Sequence, residues 1–244
     1  MDLLPTHRTP FLWPGTELSL GAVILAGLLG VTHSVSPLSA ATVVMAVVLY
    51  ISLGLTIVAG LSAYACRFGP ADRITLARAV LVLFLASLTG TPASLQALAW
   101  PYALLCLLAL GMDGADGFVA RRTHTASAFG ARFDMELDAF FILVLCFAVV
   151  VSGKAGPWVL LIGLMRYGFV MAGWRWRWLN EPLPDSFRRK TICVWQLVTL
   201  MAALLPFIPD LLGHAALLLA LALLTGSFAL DIRYLYRNRN IRRL

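Results

Sequence analysis

Residues 113–138 read DGADGFVARRTHTASAFGARFDMELD, and the chain on either side of them is strongly apolar. Written as a pattern this is D-x-x-D-G-x-x-A-R-x8-G-x3-D-x3-D, filled by Asp113, Asp116, Gly117, Ala120, Arg121, Gly130, Asp134 and Asp138. The first two aspartates are three apart and the last two four apart, so on helices each pair shares one face. Carboxylates that converge away from water repel and desolvate one another, and they stay ionised there only with a cation. Oxygen-only ligation selects a hard ion, Mg²⁺ or Mn²⁺. Gly117 and Ala120 lack bulk beside the acids, so a ligand can approach the backbone closely. Arg121 adds a planar cation suited to phosphate oxygens. A pair of ions, an arginine and a small-residue notch together describe a diphosphate site.

Working outward, the 244-residue chain is 60% hydrophobic and 13% charged, too apolar to hide in one water-soluble core. Runs long enough to cross a bilayer lie near 18–34, 39–63, 75–91, 96–112, 134–152, 157–173, 191–208 and 212–230. The expected fold is an all-α integral membrane protein of eight transmembrane helices. The composition breaks at residues 66–70, which divides the chain into an accessory hairpin, 1–65, and a six-helix core, 66–244. The first run reads as an uncleaved helix, because Glu17 and a Pro-containing leader do not fit a secretory signal.

The net charge of +7 is not spread as nucleic-acid binding would need. Arg67, Arg73, Arg121, Arg122, Arg132, Arg175, Arg177, Arg188, Arg189, Lys190 and the tail from Arg233 fall in alternate connections, and the intervening ones carry Lys154 alone. The positive-inside rule then puts both termini and the aspartates on the cytoplasmic side of the inner membrane. Trp174, Trp176 and Trp178 with their intervening arginines read as an interfacial anchor, and the basic tail as an anchor near anionic headgroups. Cys66, Cys106, Cys146 and Cys193 have no paired spacing and read as packing residues.

The aspartate pattern resembles the signature of the CDP-alcohol phosphotransferases (phosphatidyltransferases). The resemblance implies a six-helix homodimeric enzyme that binds CDP-diacylglycerol, releases CMP and passes the lipid-bearing phosphoryl group to a small alcohol. It implies metal ligation, by two ions, at Asp113, Asp116 and Asp134. Asp138 is implied as general base within the same carboxylate cluster, where it is also a candidate ligand; spacing alone does not separate base from ligand. Residues 72–78 resemble the family's N-x-x-T-x-x-R stretch, so Thr75 and Arg78 join Gly117, Ala120, Arg121 and Gly130 as expected nucleotide and diphosphate contacts. Asp72 stands where the stretch has Asn, and its alternative is an exposed helix N-cap; Arg78 has the alternative of snorkelling to the interface.

For the acceptor, Arg166 lies deep in an apolar run, where an ionisable group is a functional-site candidate. Arg188 and Lys190 resemble the K-x-K-T stretch of phosphatidylglycerophosphate synthases. Glycerol 3-phosphate is therefore the first expected acceptor, with inositol phosphate, serine or another alcohol as alternatives. Glu136 points about 160° away from Asp134 around a helix and is expected to be peripheral, and His124 to be an exposed loop residue. Two other classes fit less well. An intramembrane prenyltransferase would carry its aspartate motifs far apart in sequence, and an ion-coupled transporter would show inverted repeats or broken helices.

Overall fold

A computed structural model of the chain describes residues 14–64, 68–90, 92–123, 127–181, 183–184 and 186–238, without the side chains at 93, 94, 96, 116, 118, 120, 121 and 123. The regular structure of these residues is helical throughout. In order come α1 (Gly15–Val35), α2 (Ala40–Tyr64), α3 (Pro70–Leu88), the short α4 (Pro92–Ala97), α5 (Ala99–Thr123), α6 (Ala128–Val151), α7 (Leu160–Arg175), α8 (Phe187–Leu204) and α9 (Asp210–Asn238). Single 3₁₀ turns, Pro157–Val159 and Arg177–Asn180, flank α7.

The all-α expectation holds, and each of the eight apolar runs is a helix; α4 lies at the expected α3–α5 connection. Only four segments among the described residues are long and apolar enough to cross a membrane by themselves: α1, α2, Pro157–Arg175 and Asp210–Asn238. The other four runs lose that standing because their helices take in charge or end early. α3 holds Asp72, Arg73 and Arg78, α5 ends in Asp113, Asp116 and two arginines, α6 begins with Arg132 and three acids, and α8 is 18 residues long with three basic residues in its first turn.

Helix starts differ from the apolar runs for local reasons. α3 begins five residues before the run at 75, with Pro70 in its first turn, where a missing N–H costs nothing, and with the Gly69 N–H received by the Asp72 carboxylate at 2.7 Å. α6 begins six residues before Asp134, because Ser127 Oγ accepts the Gly130 N–H at 2.8 Å, an N-cap bond.

The described chain falls into two compact units, one from Met1–Phe84 and Gly111–Met135, the other from Leu85–Leu110 and Glu136–Leu244. In the first, α1 and α2 follow one another as a hairpin, on which Leu25, Leu29, Ala46, Ile57 and Leu61 are buried. The Tyr50 hydroxyl of α2 donates to the Leu18 carbonyl of α1. The opposite faces of the hairpin expose Val23, Val31, Val44 and Leu55, as a helix pair set in lipid does.

In the second unit, Gly163 of α7 lies against Leu143 of α6 so closely that a Cβ would stand 2.8 Å from the Leu143 Cα. Phe169 and Phe228 meet at 5.4 Å, and Leu197, Leu200 and Leu217 are fully enclosed. After α7 the chain folds back, and Asn180 Nδ2 donates to the Gly173 carbonyl at 2.9 Å, closing the helix end. Trp174 and Trp176 are exposed, whereas Trp178 is half-buried with its ring edge-on to Tyr236 at 5.7 Å. Cys106 and Cys146 are buried free thiols and Cys193 is half-buried; Cys66, Arg67, His124 and the ends at 1–13 and 239–244 lie outside the described residues.

Candidate metal centre

Two helices bring the acids. Asp113 and Asp116 ride on α5, and Asp134 and Asp138 follow one another by a turn on α6. A third helix supplies their cation. Arg78, eight residues into α3, is completely buried, and its Nη1 donates at 2.8 Å to Oδ1 of Asp113 and at 2.8 Å to Oδ1 of Asp134. Both acids remain about one-third open. The snorkelling alternative for Arg78 is therefore wrong: the side chain turns inward because two carboxylates stand within reach, and an enclosed charge must find its counter-charge.

Within the first unit a carboxylate oxygen of Asp113 lies within 4.8 Å of one of Asp134, and along the sequence of α6 Asp138 follows Asp134 by about one turn. Hard oxygen donors already gathered around one positive group suit a divalent ion, so the residues present fit a metal. Asp116 lies a turn along α5 from Asp113. Its side chain, and those of Ala120 and Arg121, are outside the described residues; Gly117 is half-buried on the same helix.

Two sequence candidates acquire local partners. Asp72 is not an exposed N-cap: it is buried, at the third helical position, and reaches back to the Gly69 N–H, half of a capping box. Burial pushes its carboxyl above the usual carboxylate range, an effect the Gly69 N–H partly offsets. Its other oxygen rests on Gly130, where a Cβ would collide with Asp72 Oδ1. The absence of a side chain at 130 thus has a packing reason as well as the expected ligand one. Thr75 is buried and donates to the Ala71 carbonyl at 3.2 Å.

In the second unit, Arg166 of α7 pairs with Glu136 of α6, Nη2 to Oε1 at 2.9 Å, and its Nε is buried without a hydrogen bond among the described residues. Glu136 is accordingly a partner that sequence reading passed over; its turn away from Asp134 is what directs it to α7. Arg188 is held by the buried Asp231 at 2.5 Å and by the Ser227 carbonyl at 3.1 Å, and Arg189 reaches the same Asp231 at 3.5 Å. Lys190 is exposed. The pairing of Arg78 with two motif acids was also missed, although a lone arginine inside an apolar helix was the signal that could have found it.

The sequence model of the CDP-alcohol phosphatidyltransferase family matches residues 68–227. That is more than half of the chain, and the chain belongs to this family. No curated protein and no solved structure matches it.

Proposed function

We propose that this member of the CDP-alcohol phosphatidyltransferase family transfers a phosphatidyl group from CDP-diacylglycerol to a small phosphorylated alcohol, glycerol 3-phosphate first, with release of CMP. The observation that carries the reading is the gathering of Asp113 and Asp134 around one buried guanidinium, with Asp138 a turn further on α6. Asp113, Asp116, Asp134 and Asp138 would hold Mg²⁺ or Mn²⁺. Bound there, one or two such ions supply charge neutralisation at the diphosphate oxygens.

The chain's own groups do the rest. Asp138 takes the proton from the acceptor hydroxyl, whose oxygen bonds to the lipid-bearing phosphorus as the bond to the CMP oxygen breaks and CMP leaves with the electron pair. Arg121, with Gly117 and Ala120 clearing space, receives the diphosphate, and Thr75 lines the nucleotide side. Arg166 and Lys190 bind the acceptor's phosphate; Arg188, secured by Asp231, contributes its field. The reading places the protein in the inner membrane with the site facing the cytoplasm, as a homodimer whose hairpin 1–65 is accessory to the core 66–244.

The test is CMP release from CDP-diacylglycerol by purified protein, with and without chelator, over a panel of alcohols. Turnover unaffected by chelator removes the metal assignment. Preference for serine or free inositol removes the phosphate role of Arg166 and Lys190.

A further inference from the structure

We infer that the α1–α2 hairpin, which lies outside the family match, is a positioning element for the carboxylate pair; this inference rests on the metal-site reading above. Each helix of the hairpin seats a glycine against a helix that carries a site residue. On α2, a Cβ at Gly60 would stand 2.5 Å from Cε2 and 2.8 Å from Cδ2 of Phe129. Phe129 is buried in the first turn of α6, stacked on Phe133 at 5.7 Å, and Asp134 is the next residue after that ring. On α1, a Cβ at Gly21 would stand 3.2 Å from Cγ2 of Val80, a buried α3 residue two positions after Arg78.

The two contacts are coupled. The Tyr50 hydroxyl bonds α2 to the Leu18 carbonyl of α1, and the same hydroxyl lies 2.6 Å from where a Gly21 Cβ would be. At the entrance to α3, Glu17 and Arg73 pair at 2.8 Å, a surface contact worth little alone. The hairpin therefore bears on both sides of the Arg78–Asp134 bond. Elsewhere it has room: Gly27, Gly30 and Gly54 have nothing within 4 Å of an added Cβ. A hairpin that served only as a membrane anchor would need no glycine opposite Phe129.

Partners that orient metal ligands typically change metal affinity about 10- to 100-fold when altered. In purified protein, Gly60→Leu should push Phe129 and the first turn of α6 aside and weaken Mn²⁺ binding, read by electron paramagnetic resonance, by about tenfold or more. The Mn²⁺ concentration for half-maximal CMP release should rise in parallel. Gly54→Leu should change neither quantity, and Phe129→Ala placed on Gly60→Leu should restore part of the affinity by making room. If Gly60→Leu does not fold, Phe129→Ala alone, which deletes the contact, must show the weakened Mn²⁺ binding. Wild-type protein that binds no Mn²⁺ overturns the metal reading and this inference with it. Wild-type binding matched by the folded Gly60→Leu or Phe129→Ala protein overturns the role of the hairpin and leaves the metal reading standing.

Discussion

The two units solve opposite charge problems. In the first, a single guanidinium, Arg78, serves two carboxylates; in the second, a single carboxylate, Asp231, serves two guanidiniums. Two acids about one-third open and sharing one buried cation form a place where a further cation is stabilised. Two arginines sharing one buried acid form a place where a further anion is. Between these extremes Arg166 and Glu136 pair one to one. On the proposed function the acids of α5 and α6 take the metal and the arginines of the second unit take the phosphorylated acceptor, and the substitutions below test that assignment.

The largest effect is expected at the aspartates. Asp138→Asn should lower kcat by about 10²–10⁴, the usual size of a general-base contribution, while CDP-diacylglycerol still binds. Asp113→Asn should lose at least as much turnover and lose Mn²⁺ binding too. If Asp138→Asn loses Mn²⁺ and donor together, its role as base falls and its role as ligand alone stands.

Next comes Arg78→Met, which leaves two carboxylates facing one another without their shared cation. The carboxylates left behind are about one-third open and partly solvated, so the cost is smaller than for a wholly enclosed pair, and it is read as a fall in Tm. Added Mg²⁺ should return more of that Tm to the variant than it adds to wild type, because the ion then replaces the missing charge. Equal Mg²⁺ shifts in both proteins would break the comparison at its first half.

A smaller effect is expected for Arg166→Ala, which should raise KM for the phosphorylated alcohol by about tenfold, the loss of one charge-assisted contact, and leave donor KM unchanged. Glu136→Gln should be milder, since the guanidinium stays. A rise in donor KM alone would place Arg166 on the nucleotide side and break the second half.

The smallest concerns Asp72. Because burial raises its folded-state pKa above the ordinary value near 4, the folded protein holds its proton more firmly than the unfolded chain. That contribution is complete below the ordinary pKa and is lost as pH rises through the raised one. Asp72→Asn should remove this pH dependence, so the Tm difference between variant and wild type grows from pH 4 to pH 7 in the variant's favour. A constant difference across that range would sink it.

Much of this architecture was legible in the chain because bilayer-length apolar runs and a fixed-spacing motif are local signals. Helices over all eight runs and the placement of the aspartates on α5 and α6 followed from them. What was not legible were partners separated by dozens of residues. Arg78 meets acids 35 and 56 positions on, and Arg188 meets one 43 away. Helical periodicity gave the face on which Glu136 lies, but the α7 arginine facing it is a matter of tertiary packing. Gly130 was read only as a diphosphate contact, because a glycine in a motif gives no sign of the side chain resting on it.

That last contact has a consequence for how the family varies. Position 72 is walled on one side by the Gly69 N–H and on the other by the bare Gly130 backbone. A residue there can change its charge but not its bulk. Aspartate for asparagine is such an exchange, equal in shape and different only in a proton and a dipole. Across related sequences the pair 72 and 130 should therefore drift along a narrow track, Asp alternating with Asn beside a glycine that stays put. A larger residue at 130 should be found only where 72 has become shorter.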